Sequence, residues 1–311
     1  KGTVFRNLPN TAIIVLEKSE LLLINTSFSN ISSTASATLL NIQSKSTVLV
    51  KMLQAKNLIS KGDGAAIYSV SSTLNLFQGE IYNCSTISGQ GGVLYSFDSK
   101  VKINDISIEL TKAYFGGVIR SDSSNIELKN VEISKTAALA SGGSIYSKQG
   151  ALTAIDVRFS EAQALARGGC IFSEGTSVKL VNTSFSASFA GEIGIVTILG
   201  TSSDISSSFN NVEFSNNRAK SVPSFVIYDT ILEANGVTLN NNTAENGGDL
   251  LQVISTYLDC FLNLIDFDIA NNTISTGYLI FTSKSKVNLE NGLLRGNKAV
   301  TSLFLTSSSD G

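Results

Sequence analysis

The chain has 311 residues, 42% of them apolar, and its 23 basic and 25 acidic side chains leave a net charge of −2 with no histidine. A balance this near neutral, with no basic run, argues against a nucleic-acid partner, and no apolar stretch reaches the roughly 18 residues of a membrane helix. The missing imidazole removes the commonest general base, the commonest neutral metal ligand, and every Ser–His or Cys–His arrangement.

Charged residues make up only 15%; 70 Ser and Thr and 27 Asn take their place, so the surface is polar but mostly uncharged. In chain order, the first apolar candidate, "TAIIVLEKSE", breaks at Glu17. From Leu21 a spacing begins that recurs to the end: aliphatic, x, aliphatic, x, Asn or Asp, x, x, then Phe, Ile or Leu. It starts at 21, 48, 74, 101, 126, 152, 178, 207, 232, 262 and 287, as in "LLLINTSF", "VKINDISI", "LTAIDVRF" and "VNLENGLL". Alternation of apolar and polar residues predicts a strand with one buried face. The Asn or Asp predicts a bend at positive φ. A polar loop follows, often with Asn, as in "FSNN" at 214–217, "LNNN" at 239–242 and "IANN" at 269–272.

A second motif opens the next strand. It reads "GDGAAIYS" at 62–69, "GQGGVLYS" at 89–96, "YFGGVIRS" at 114–121, "ASGGSIYS" at 140–147 and "ARGGCIFS" at 166–173. Units of 25–30 residues with two or three short strands and no room for a helix predict an all-β fold. The reading is a right-handed parallel β-helix of about twelve coils, one domain over 1–311. At the inter-strand spacing it would be a rod of about 55–60 Å. The rival leucine-rich solenoid needs "LxxLxLxxN", which does not recur. Stacking places like residues in columns. Ile67, Leu94, Ile119, Ile145 and Ile171 fill the interior. Gly91, Gly92, Gly116, Gly117, Gly142, Gly143, Gly168 and Gly169 mark a corner too tight for a side chain. Tyr68, Tyr95, Arg120, Tyr146 and Phe172, a column that admits charge, are expected outside. Asn25, Asp105, Asn130, Asp156, Asn182, Asn211, Asp266 and Asn291 form a polar ladder at the bend.

"GGSIYS", "GGCIFS" and "GGVLYS" resemble the GGA-I/L/V motif, and "FSNN" resembles FxxN. Together these motifs mark the polymorphic outer membrane protein repeat of the pectin-lyase-like β-helix superfamily. The resemblance implies a surface-exposed or secreted protein with an adhesive or structural role, without the β-barrel translocator such proteins carry.

That superfamily also holds polysaccharide lyases and glycoside hydrolases, which is the alternative function. They need clustered carboxylates with a basic partner. Here Glu109, Glu127 and Glu132 interleave with Lys102, Lys129 and Lys135, as on a charge-compensated face. Asp266 belongs to the bend ladder, leaving Asp268 alone. "KGDGAA" lacks the repeated GGxGxD of a calcium roll. No catalytic, cofactor or metal residue is assigned. Cys84 and Cys170 fall three coils apart, about 14 Å and beyond disulfide reach, so these and Cys260 are expected as free, buried thiols. Of six N-x-S/T sequons, Asn30, Asn83, Asn241 and Asn271 share one loop column and are the expected N-glycan acceptors. Asn25 and Asn182 lie in the bend ladder, where a glycan would disturb packing. Lys1 is not an initiator methionine, and neither terminus reads as a cap. The expectation is a processed or partial piece of a longer solenoid, or a subunit that stacks end to end. It is expected to be a non-enzymatic extracellular or cell-surface rod, stalk or filament component whose partners are itself, neighbouring coils and N-linked sugars.

Overall fold

A computed structural model describes residues 2–15, 17–202, 205–299 and 302–307. Part of the C-terminal stretch read as uncapped, residues 300, 301 and 308–311, lies outside the described residues. The chain winds into a parallel β-solenoid of about eleven turns, with no helix among the described residues. The opening segment supplies only Thr3–Arg6 and Ile13–Val15 and does not complete a turn, which is why the count falls below twelve.

The register follows the sequence columns. Leu21 pairs with Val48, Val48 with Leu74, and the ladder continues through Val101, Ile126, Leu152 and Val178. Lys179 opposite Ser208 sets Val178 against Ser207, and Leu232, Leu262 and Val287 complete the column. Likewise Leu94, Ile119, Ile145 and Ile171 stack on one another, all fully buried. Because every coil repeats the inward pattern of the one before, one hydrophobic core runs the length of the stack. Rings deepen it: Phe159, Phe185 and Phe214 stack at 5.0 and 4.9 Å between centroids, within the range that favours offset aromatic pairs.

Strands are longer than the sequence suggests because the bends do not end them. Ile145–Ser160 is one 16-residue strand that turns at Gln149 and Gly150 and again at Asp156, all at positive φ. The predicted bend ladder adopts this conformation throughout: Asn25, Asp105, Asn130, Asp156, Asn182, Asn211, Asp266 and Asn291 lie at φ between 48° and 56°. Asn and Asp tolerate the left-handed region best among residues with a side chain. The first glycine of each pair, Gly91, Gly116, Gly142 and Gly168, has φ of 60–69°. The second is needed for a different reason, the close approach of the next coil.

Two placements differ from the sequence reading. The bulky column is not outside: Arg120 is only 9% exposed and Phe172 is buried, while Tyr68, Tyr95 and Tyr146 are half-buried. Arg120 can lie there because its guanidinium sits 3.9 Å from the Tyr146 ring centroid and 5.9 Å from that of Phe115, and Asp122 neutralises it. The Asn of the FxxN spacing lies in the connection between strands, as expected, but faces inward rather than toward solvent. Asn217, Asn242 and Asn272 are fully buried. Each Oδ1 accepts the backbone N–H of the preceding coil, Ser188, Asn217 and Asn242 in turn, at 2.8–3.0 Å. Asn297 does the same for Asn272 at 3.0 Å.

Candidate functional site

Among the described residues the candidate surface features are columns. The four predicted acceptors, Asn30, Asn83, Asn241 and Asn271, do share one. Ser29 opposite Lys56, Lys56 opposite Tyr82 and Asn240 opposite Ala270 fix the alignment. All four are exposed, at φ of 53–57°. Asn57, in the coil between those of Asn30 and Asn83, links them: its amide donates to Asn30 Oδ1 at 2.9 Å, and Asn83 donates to Asn57 Oδ1 at 2.8 Å. Asn271 donates to Asn240 Oδ1 at 3.3 Å.

The bend ladder is exposed as well. Asn25 and Asn182 face solvent, so burial does not separate them from the other four. What does distinguish Asn182 is its engagement on both sides, donating to Asp156 at 3.0 Å and accepting from Asn211 at 3.1 Å. Asn130 donates to Asp105 at 2.7 Å in the same way. Asp members therefore alternate with amides that can donate to them, which explains carboxylates at these bends without a catalytic duty.

The carboxylates weighed for hydrolysis pair with bases from the adjacent coil. Lys102 meets Glu127 and Lys135 meets Glu109, each at 2.8 Å, and Arg158 meets Glu132 at 2.8 Å. Asp268 is held by Arg295 at 2.6 Å. These pairs are exposed, so solvent screens them and they add little to stability. Glu109, Lys135, Glu132 and Arg158 line a shallow face with Ser107, Ser134, Ser160 and Ser184 that is polar and open. Among the described residues no three His, Cys, Asp or Glu are grouped to hold a metal ion. Asp63 of "KGDGAA" accepts the Gln90 N–H at 2.8 Å.

Asp229 is a feature the sequence reading missed. Its carboxylate accepts the N–H groups of Thr256, Tyr257 and Leu258 at 2.6, 3.1 and 3.2 Å, and the Thr256 hydroxyl also bonds it. Desolvation pushes this carboxyl up, but the Thr256 hydroxyl and the three N–H groups outweigh it and hold it below the usual carboxylate range. The 30-residue spacing between the starts at 232 and 262 was the available signal, an enlarged loop that something must brace.

All three cysteines are free and buried, as the coil spacing implied. Burial pushes the Cys84 and Cys170 thiols up to about 12, only partly offset by hydrogen bonds to the Leu58 backbone and to Ser188. Cys260 is raised for the same first reason. The thiolate is the reactive form, so native protein at pH 8 is expected to resist iodoacetamide. Labelling of all three sites should follow unfolding, read by mass spectrometry across a urea series. The raised folded values have a second consequence. The unfolded thiols ionise first, near their ordinary 9, so stability from these groups is full below that pH and is lost as pH rises from about 9 to about 12.

These features define the protein as a parallel β-solenoid. Comparison with family models, curated proteins and solved structures finds no match to the chain.

Proposed function

We propose that the chain is a structural element of an extracellular or cell-surface assembly, a rod or stalk segment that displays a column of N-linked sugars. The observation that carries this reading is the unbroken register. Every one of the eleven recurring start positions falls on its counterpart in the neighbouring coil. Such a stack is stiff along its axis, because each coil is hydrogen-bonded to both neighbours. Motif likeness to polymorphic outer membrane protein repeats, within the pectin-lyase-like superfamily, points to the same location. The first rung leaves Phe5, Leu8 and Ile13 half-buried and Ile14 exposed. A further coil, from the same polypeptide or a second copy, would stack on that apolar surface.

Electron microscopy of native material tests the reading: rods or filaments are the expected result. Turnover of pectin-type polymers by the purified chain would overturn it in favour of a polysaccharide lyase or glycoside hydrolase. Glycopeptide mapping tests the sugar column separately. Occupancy is expected at Asn30, Asn83, Asn241 and Asn271, and modification of Asn25 or Asn182 in preference to these would remove the column from the proposal while leaving the rod.

A further inference from the structure

At one corner of the solenoid, small residues turn inward: Thr86, Ala113, Ala138 and Ala164 are buried. The residue after each points away from the core. In four successive coils that residue is Ile87, Tyr114, Leu139 and Leu165, which are 63, 48, 44 and 64% exposed. Their alignment follows from Ser85 opposite Lys112, Ala138 opposite Ala113, and Ala138 opposite Ala164. At the inter-strand spacing the strip is about 14 Å long. Tyr114 is further fixed by the Phe115 ring, edge-on at 4.8 Å. Exposed apolar side chains that form a contiguous strip mark an interaction site, where single ones do not.

The charges around it identify the partner. Lys61 occupies the same column one coil before Ile87, Lys112 lies beside Tyr114, and Lys220 follows beyond Gly191. All three lysines are exposed, and none takes part in an ion pair among the described residues. Of the other charges on this border, Arg167 pairs with Glu192 and Arg218 with Glu245, while Asp63, hydrogen-bonded by the Gln90 N–H, keeps its negative charge against the three lysines. The uncompensated charge is therefore positive. A second copy is the wrong occupant. Strip against strip sets Lys61 on Lys61 in one orientation and on Lys220 in the other, like charges both ways. The side chains also project from a corner, which suits a flat surface better than a groove-bound peptide.

We infer that this strip seats the rod lengthwise on an anionic lipid surface. Ile87, Tyr114, Leu139 and Leu165 enter the boundary between headgroups and acyl chains, and Lys61, Lys112 and Lys220 meet the negative headgroups. Neither the sugar column nor the rod's further assembly is needed for this contact. Flotation with phosphatidylcholine vesicles, with and without phosphatidylserine, tests it. Binding that requires phosphatidylserine is expected. The double variant Leu139→Ser/Leu165→Ser should weaken it about a hundredfold, roughly tenfold for each side chain withdrawn. Replacing the three lysines by alanine should also weaken it about a hundredfold, roughly fivefold each. Circular dichroism and the melting curve should stay unchanged for both variants, since these side chains are exposed. Absence of vesicle binding overturns the inference, as does binding equal in wild type and variants. Binding of a soluble acidic, leucine-containing peptide in place of vesicles, or concentration-dependent dimerisation abolished by the leucine variant, would reassign the strip to a protein partner.

Discussion

Replacing Asn242 with alanine is expected to lower the unfolding free energy by about 4 kcal/mol. This amide lies fully buried in the interior ladder. Its Oδ1 accepts the Asn217 N–H at 3.0 Å, and its Nδ2 donates to the Phe214 carbonyl at 2.9 Å and to Asn272 Oδ1 at 3.0 Å. Truncation orphans a donor and an acceptor in an apolar interior, each costing about 1–3 kcal/mol, and leaves a void besides. Leucine would not rescue it, because the stranded groups belong to the backbone of neighbouring coils. The exposed amide Asn288 is the control: its bond to Asn263 faces water, its backbone is ordinary strand, and Asn288→Ala should cost less than about 0.5 kcal/mol. Urea unfolding followed by circular dichroism measures both, since there is no tryptophan to report. Solenoid coils can unfold in blocks, so amide exchange at Asn217 gives a local reading of the same loss. If the two variants unfold alike, the interior ladder does not hold the coils together.

The sidedness of Asn242 shows where sequence reasoning stopped. Periodicity sufficed for the fold because a parallel stack turns sequence period into spatial column, so eleven start positions read off the chain are eleven residues in register. The same logic found the exposed column of Asn30, Asn83, Asn241 and Asn271. It failed where composition was used to infer orientation. Asn marks the connection correctly, yet in "NNNT" and "ANNT" Asn241 or Asn271 bends the chain at positive φ toward solvent and the next residue, Asn242 or Asn272, turns inward. Only the fixed three-residue offset from Phe214, Leu239 and Ile269 separates them. The same column holds Ile31, Leu58 and Cys84 near the start of the chain, all buried, so its polarity changes along the rod while its direction does not. Arg120 misled the reading in the opposite way. A charge in the column predicts solvent, but Tyr146, Phe115 and Asp122 build a partner for it inside the corner. Only Tyr146 comes from another coil; Asp122 and Phe115 lie two and five residues away in the same one, and the sequence shows that nearness without showing that all three face the guanidinium. The candidate surface features were legible to the same degree: columns from spacing, but not the brace that Asp229 gives the enlarged loop.

Gly143→Val is expected to cost about 4 kcal/mol, above the usual 1–3 kcal/mol of overpacking. A Cβ at Gly143 would stand 1.9 Å from the Gly169 carbonyl oxygen and 2.7 Å from that of Gln163. Both are backbone atoms of the following coil, so no side chain can swing aside. Relief requires the two coils to part, and the Gly143 N–H bond to the Gly168 carbonyl at 3.0 Å is the first to lengthen. Gly92 and Gly117 face the same obstacle, with carbonyls at 2.0 and 2.1 Å, whereas Gly169 meets its nearest neighbour at 2.7 Å. Crowding thus lessens at the coil where the paired motif ends. A purely conformational account would instead make the first glycine decisive. Gly236→Ala separates these causes: its φ is +68°, but the nearest atom to a new Cβ is 3.4 Å away, so only the left-handed backbone cost of about 1–2 kcal/mol applies. Gly236→Asn should cost less still, because Asn already occupies that column at Asn211. Thermal and urea unfolding of Gly143→Val, Gly236→Ala and Gly236→Asn should therefore rank in that order of loss. Equal losses at 143 and 236 would mean that backbone conformation, and not the distance between coils, dictates the repeated glycine pair.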